Sequence, residues 1–142
     1  MSQTMKITPF LAVQSGALLL LVALMVLRHG EWNAARWTGL IIAIPAAIML
    51  FVARIQLGNS FAVTPQAREL VTHGIYSKIR NPIYVFSAIL VLGFLISLQI
   101  RYAFVFLIIL IPIQMVRAHQ EAKVLEQKFG DAYSEYRKNT WF

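Results

Sequence analysis

Cysteine is absent from the 142 residues of this chain, and aspartate and glutamate together number only 6. Because the chain has no thiol group, it can form no disulfide, no thiolate metal site and no cysteine nucleophile. The three histidines, His29, His73 and His119, do not have the spacing of metal ligands, so we expect no metal site. No glycine-rich dinucleotide fingerprint occurs either, which argues against a Rossmann-type cofactor site.

Hydrophobic residues, by contrast, make up 58% of the chain, and the mean hydropathy is +0.65. Soluble domains have an apolar share of roughly 45–50%. The composition therefore predicts a single integral membrane domain over residues 1–142. The net charge of +7 comes from basic residues between the apolar runs, so we expect it to set membrane orientation and we expect no nucleic-acid partner.

Four stretches without a charged residue predict an all-α, polytopic membrane fold with transmembrane helices at residues 9–27, 37–53, 83–100 and 102–116. The first stretch lacks a small-residue cleavage site, so we interpret it as a retained helix. The fourth is short and contains Pro112, so we expect it to kink or to continue into the polar tail.

The distribution of basic residues predicts which side each segment faces. With the N-terminus in the cytosol, ten basic residues lie on the cytosolic side and three, Arg28, Arg36 and Arg101, lie on the other. Both termini, the loop of residues 54–81 and the tail of residues 117–142 are then cytosolic. The small size and the lack of a cleavable signal are typical of a prokaryotic plasma (inner) membrane protein, with membrane lipids around it.

The cytosolic loop carries several turn signals, and a short helix is expected over residues 66–71. At the end of the loop, Asn81 and Pro82 have the pattern of an N-cap and a first helical residue. Ordinary capping would explain this pair. The same geometry points free backbone N–H groups and the positive end of a helix dipole at the loop, which suits an anionic ligand.

The tail sequence RAHQEAKVLEQKFGDAYSEYRK places apolar residues at intervals of three and four, which predicts an amphipathic helix bent at Gly130. By default such a helix lies on the membrane surface. Arg117 and Glu121 are four residues apart and share one helical face. A mutual ion pair is the plain interpretation of that spacing, and a functional role is the alternative.

Two motifs carry a resemblance to a known family. The loop sequence LVTHGIYSKIRNPIY follows the pattern L-V-x-x-G-x-Y-x-x-x-R-H-P-x-Y, and the tail follows R-x-x-x-E-x-x-x-L-x-x-x-F-G-x-x-Y-x-x-Y from Arg117 to Tyr136. Over its C-terminal half, the chain resembles the membrane-embedded isoprenylcysteine carboxyl methyltransferase family, which is related to the phospholipid N-methyltransferases. The chain departs from the family pattern where Asn81 replaces a histidine and Ala122 replaces the second of two glutamates.

The resemblance implies S-adenosyl-L-methionine as the cofactor, bound on the cytosolic side, and a lipophilic or prenylated acceptor that enters from the bilayer. The implied cofactor-binding residues lie in both motifs and just before the first: Arg68, Glu69, Leu70, Val71, Tyr76, Asn81, Pro82, Ile83, Tyr84 and Glu121. Glu121 is expected to close the cofactor site, and Arg117 to bind the acceptor. These two residues are the implied catalytic pair.

Carboxyl O-methylation of an isoprenylcysteine-like compound is the leading implied reaction. A carboxylate acceptor needs no base, only a cation such as Arg117 to orient it, whereas an amine acceptor must lose a proton to Glu121 or water. The alternatives are phospholipid or amine N-methylation, a non-catalytic membrane scaffold and a small transporter. A transporter usually needs an ionisable residue within a span, and the predicted spans have none. Without the motif, Tyr76 and Tyr84 would fit an interfacial aromatic belt equally well.

Overall fold

The regular elements of this chain are helical. A computed structural model describes residues 9–58 and 70–142. Within those ranges it contains five α-helices and two short 3-10 turns, and no strand. The helices are α1 (Pro9–Leu27), α2 (Ala34–Leu57), α3 (Pro82–Leu98), α4 (Val105–Phe129) and α5 (Asp131–Lys138), and the turns are Gly74–Ser77 and Arg101–Phe104. The predicted all-α fold class is confirmed.

The apolar helices lie where the apolar stretches predict them. Two are long and apolar enough, by length and composition, to cross a membrane: Ala34–Leu57, and α4 with its leading turn, Arg101–Phe129. The apolar helices over Ala12–Leu27 and Pro82–Leu98 are shorter. Membrane spanning by α2 and α4 is therefore supported by the structure, and the other two helices are apolar segments of lesser length.

Helices α2 and α3 pack with their backbones in close contact. A Cβ atom added to Gly39 would lie 2.5 Å from the Gly93 carbonyl oxygen, and one added to Gly93 would lie 2.7 Å from the Gly39 carbonyl oxygen. Ala43, on the same face of α2, is completely buried. Small residues at a helix interface let two backbones approach closely and gain dispersion contacts. These small residues thus pack helices within one chain.

The bundle has two ends that differ in chemistry. We call the end where α2 finishes and α3 begins the site end, and the opposite end the far end. At the far end, Arg36 is 3% exposed and its guanidinium lies 4.0 Å from the ring centre of Trp32. Its N–H groups donate to carbonyls at and beyond the last turn of α1, those of Met25, Val26, Arg28 and Gly30.

Arg28 has the same function for α3, because its guanidinium donates to the carbonyls of Ser97 and Leu98 at 3.4 and 3.3 Å. The last carbonyls of a helix have no partner within the helix and carry the negative end of its dipole. The two arginines of the far end therefore stabilise helix C-termini. The charge pattern of the sequence predicts their side of the membrane but not this structural role.

Helix α4 continues well past its apolar part. It runs through Pro112 without interruption and extends beyond Arg117 to Phe129. Of the two outcomes expected from the sequence, a kink or a continuation into the polar tail, the structure shows the continuation. The helix ends at Gly130, which adopts a left-handed φ of 52° and is the N-cap of the short helix α5. The predicted bend at this glycine is confirmed. The break turns the polar tail back toward the site end of the bundle.

Candidate active site

The 3-10 turn Gly74–Ser77 presents Tyr76 at the site end. The turn is tied to the last residues of α2, because the Ile75 backbone N–H donates to Gln56 Oε1 at 2.8 Å. Gly74 has a left-handed φ of 61°, and a Cβ atom there would collide with the Gln56 side chain. Tyr76 is consequently buried, and its hydroxyl has no hydrogen-bond partner within the described part of the chain.

A buried hydroxyl without a partner is unusual, since leaving such a group unpaired costs about 1–3 kcal/mol. Burial also raises the pKa of the Tyr76 phenol, which keeps the hydroxyl neutral and able to donate or accept. The position is therefore one where a bound ligand would supply the missing hydrogen bond.

Tyr84 and Glu121 meet across α3 and α4. The Tyr84 hydroxyl donates a short hydrogen bond to Glu121 Oε1, and the two residues are 37 positions apart in sequence. Glu121 lies beyond the apolar part of α4, which ends at Val116. Burial raises the pKa of the Glu121 carboxyl, while the Tyr84 hydrogen bond and the positive charge of Arg117 partly oppose that rise.

Arg117 lies one helical turn before Glu121 on α4 and is exposed. Its charge acts on both Glu121 and Tyr84. Arg54, in the last turn of α2, also acts on the phenols of Tyr76 and Tyr84. The sequence predicts only a role in membrane orientation for Arg54, because a basic residue at the end of an apolar stretch carries no further signal.

The start of α3 is held by the last residues of the chain. Pro82 is the buried first residue of the helix and Asn81 occupies the N-cap position, as predicted. The Asn81 side chain makes no capping hydrogen bond, however, so this part of the prediction is wrong. Its amide group and its backbone N–H instead donate to the Phe142 carbonyl oxygen, at 3.0 and 2.9 Å.

This contact extends into a short paired segment between the loop and the tail. The Trp141 N–H donates to the Lys78 carbonyl at 2.7 Å, and the Arg80 N–H donates to the Trp141 carbonyl at 3.0 Å. Ile79 and Trp141 form an isolated parallel bridge. The polar N–H groups before α3 are thereby satisfied by the tail.

The tail tyrosines complete the enclosure of the site. Tyr133 is buried, and the Tyr136 hydroxyl donates to the Tyr76 carbonyl at 2.7 Å. Burial raises the pKa of Tyr136 to about 12, so this donor stays protonated at neutral pH. The amphipathic pattern of the tail predicts a membrane-surface helix, and the structure shows that its aromatic residues contact the Tyr76 turn.

The structure brings together Tyr76, Tyr84 and Glu121 from the set of predicted site residues. Ile83 is half-buried at the start of α3. Leu70 and Val71 are half-buried in irregular backbone, so the helix expected over residues 66–71 does not include them. The remainder of that helix, with the predicted cofactor contacts Arg68 and Glu69, lies outside the described residues.

A family model for phospholipid methyltransferases matches residues 33–132. The match begins at the N-cap of α2 and ends within α5, so it contains Arg54, Tyr76, Tyr84, Arg117 and Glu121. Comparison with curated proteins and with solved structures gave no match. Since the matched segment spans more than half of the 142 residues, the chain belongs to the phospholipid methyltransferase family, which includes the isoprenylcysteine carboxyl methyltransferases.

Proposed function

We propose that this protein transfers a methyl group from S-adenosyl-L-methionine to a lipophilic acceptor, with carboxyl O-methylation of an isoprenylcysteine-like compound as the leading reaction. The observation that carries the proposal is the group of Tyr76, Tyr84 and Glu121 at one end of an apolar bundle. Membership of the family supports methyl transfer to a lipophilic substrate. The choice of an isoprenylcysteine-like acceptor is more specific than family membership alone and is our proposal.

The proposed arrangement places all four long helices across a membrane and the site end in the cytosol. α1 has 19 residues and α3 has 17, which lies at the lower limit of the roughly 17–25 residues that cross a bilayer. Both termini are then cytosolic, as the excess of basic residues at that end favours. Soluble cofactor reaches the site from the cytosol, and the acceptor reaches it from the lipid.

The side chains fit the proposed cofactor. S-adenosyl-L-methionine supplies a methyl group bound to a positively charged sulfur, together with an ammonium group, a carboxylate and hydroxyl groups. Glu121 offers a negative charge to the cationic groups, and the unpartnered Tyr76 hydroxyl offers a hydrogen bond to a polar one. Tyr84 holds the Glu121 carboxylate in one orientation through its hydrogen bond. Arg54 and Arg117 both place positive charge near Tyr84.

For a carboxylate acceptor, the chain needs to orient the nucleophile and to exclude water, and both effects contribute substantially to rate. A carboxylate oxygen forms the new bond to carbon, the carbon–sulfur bond breaks, and its electron pair stays on sulfur. Negative and positive charges cancel, and no proton moves. The arginines can position such a carboxylate, because a guanidinium binds it without removing its nucleophilic lone pairs.

Amine N-methylation is the second candidate. A protonated amine must first lose a proton, and a carboxyl with a raised pKa is a suitable acceptor for it. Burial raises the pKa of Glu121 in this way. The two reactions differ in their product, since an O-methyl ester is hydrolysed by mild base and an N-methyl amine is not.

Binding of S-adenosyl-L-homocysteine tests the cofactor site directly. Calorimetric titration would use the protein in lipid nanodiscs, as wild type, as Glu121→Gln and as Glu126→Gln, an exposed control on the same helix. We expect saturable binding to wild type and the control. Glu121→Gln should weaken it by about 1.5–3 kcal/mol, roughly 10–150-fold, because a charged hydrogen-bonding partner is lost.

Failure of the folded wild-type protein to bind would contradict the proposed function. Given binding, incubation with radiolabelled S-adenosyl-L-methionine and either farnesylcysteine or phosphatidylethanolamine identifies the acceptor. Base-labile label on farnesylcysteine is the expected result. Base-stable label on phosphatidylethanolamine would replace O-methylation by N-methylation.

A further inference from the structure

A groove of about 260 Å³ lies between α1 and α2 at the site end of the bundle. Leu18 and Leu21 line it from α1, and Leu50 and Phe51 line it from α2. The other lining residues are Ala17 and the polar residues Gln14, Ser15 and Arg54. The groove is thus apolar along most of its length and polar at one end, which is the distribution that an amphiphilic molecule requires.

The polar end contains a buried hydrogen-bonding atom that the rest of the chain does not satisfy. Gln14 Oε1 is buried and has no hydrogen-bond partner among the described residues. A carbonyl oxygen in this position accepts an N–H or O–H donor. Arg54 in the same groove attracts an anion. The two side chains therefore favour a head group that carries both a carboxylate and a neighbouring N–H donor.

The polar end is also continuous with the candidate active site. Arg54 lines the groove and acts electrostatically on the phenols of Tyr76 and Tyr84. Two residues later, Gln56 accepts the hydrogen bond that holds the Tyr76 turn. A head group bound at Arg54 thus lies between the groove and the side chains assigned to the cofactor.

We infer that the groove between α1 and α2 binds the methyl acceptor, with the hydrocarbon chain along Leu18 and Phe51 and the carboxylate at Arg54. The inference rests on the proposed function and names a binding site for its acceptor. An isoprenylcysteine-like compound has the required chemistry, because its carboxylate and its N–H group are attached to the same carbon. Gln14 then distinguishes it from a simple fatty acid, which lacks the N–H group.

The first test fills the groove. Leu18→Trp places a large side chain in it, and Leu19→Trp is the matched control, because Leu19 is 71% exposed on the same helix. With farnesylcysteine as acceptor, Leu18→Trp should raise KM by about tenfold or more, since the added side chain occupies the space that the acceptor needs. The rise should be smaller with geranylcysteine, whose chain is shorter. Equal KM values for the two tryptophan variants would overturn the inference.

The second test keeps the shape of the groove and removes its polar partner. Gln14→Leu should raise the KM for farnesylcysteine by roughly fivefold, as one hydrogen bond is worth about 1 kcal/mol. Affinity for S-adenosyl-L-homocysteine should not change. If Gln14 has only a structural role, the opposite result is expected. The KM should then be unchanged, and thermal stability should rise, because the substitution removes an unpaired buried oxygen.

A binding measurement separates failure of this inference from failure of the proposed function. A photoactivatable farnesylcysteine would be crosslinked to the protein in nanodiscs without cofactor, and the labelled peptides would be mapped by mass spectrometry. Label on α1 and α2 that unlabelled farnesylcysteine displaces supports the site even if no methyl transfer occurs. Label that excess phospholipid removes equally well, or that lies elsewhere, identifies the groove as an ordinary lipid contact and overturns the inference.

Discussion

The contact between α2 and α3 differs from the contact between α1 and α2 in how closely the helices pack. At the first contact, Gly39 and Gly93 leave no room for a Cβ atom. At the second, side chains such as Leu18 and Leu50 line an open space. The first interface is a close-packed seam, and the second contains a groove. In a membrane, where apolar burial gives no net drive for association, the seam therefore supplies the firmer contact.

This difference has a consequence for the site. Arg54 belongs to α2 and Tyr84 to α3, so the seam fixes two parts of the site relative to each other. The groove lies farther along α2, at Leu50, Phe51 and Arg54, where packing against α1 leaves space. The close-packed pair of helices thus positions two residues of the candidate site, and the looser contact leaves the groove in which we propose that the acceptor binds.

The largest expected effect comes from filling the seam. Gly93→Leu places a side chain where even a Cβ atom would lie 2.7 Å from the Gly39 carbonyl oxygen. We expect destabilisation of about 3 kcal/mol or more, because α2 and α3 must separate. Thermal unfolding in detergent, followed by circular dichroism, measures it. Gly16→Leu, at an exposed position on α1, is the control and should unfold like wild type; equal losses in both variants would contradict the close packing of the seam.

A somewhat smaller loss is expected at the far end. Arg36→Leu removes the donors to the carbonyls after α1 and the contact with Trp32, and should cost about 2–3 kcal/mol of stability. Arg101→Leu, an exposed arginine at the same end, should cost under about 0.5 kcal/mol. Cofactor affinity of the folded Arg36→Leu protein should match wild type, since the site lies at the other end. A large loss of affinity without unfolding would show that the two ends are coupled.

Tyr84→Phe should change the pKa of Glu121 and the affinity for cofactor while leaving the packing of α2 against α3 intact. The hydrogen bond from Tyr84 lowers the pKa of Glu121, so its removal should raise that pKa. Affinity for S-adenosyl-L-homocysteine falls as Glu121 becomes protonated on acidification. The midpoint of this fall should therefore move to higher pH in the variant, with affinity at neutral pH lower by about 1 kcal/mol. Tyr102→Phe, at a residue that is 89% exposed, should leave the pH profile unchanged.

The smallest effect is expected at the tail. Tyr136→Phe removes one hydrogen bond to the Tyr76 carbonyl and should cost about 1 kcal/mol, seen as faster amide hydrogen exchange in α5. The folded pKa of Tyr136 is raised from 10.0 to about 12, so its contribution is complete below pH 10 and is lost as the pH rises toward 12. Wild type should therefore lose its protection over that range. A protection difference between wild type and variant that persists unchanged above pH 12 would contradict this assignment.

Local patterns in the sequence were sufficient to locate the helices. Uncharged apolar stretches predicted α1 to α4, and Gly130 predicted the break before α5, because each signal depends on residues close together in the chain. The motifs likewise identified Tyr76, Tyr84 and Glu121. The hydrogen bond between Tyr84 and Glu121 joins residues 37 positions apart, and no periodicity indicates such a pair.

The contacts that the sequence did not indicate are those between segments that are distant along the chain. Asn81 has the pattern of a helix cap, yet its side chain binds the Phe142 carbonyl, 61 positions away. Arg28 and Arg36 look like charges that flank a membrane span, yet they satisfy the ends of neighbouring helices. Arg54 lies between the groove and the site only because α1 and the Tyr76 turn both pack against α2.

The pairing of Trp141 with residues on either side of Ile79 also orders events during synthesis. Residues 141 and 142 are made after α3, so the start of α3 lacks this partner while the chain is still being synthesised. Until the tail has been made, nothing from it accepts the N–H groups of Arg80 and Asn81. The start of α3, which carries Tyr84, therefore gains these backbone partners only after both motifs of the candidate site have been made.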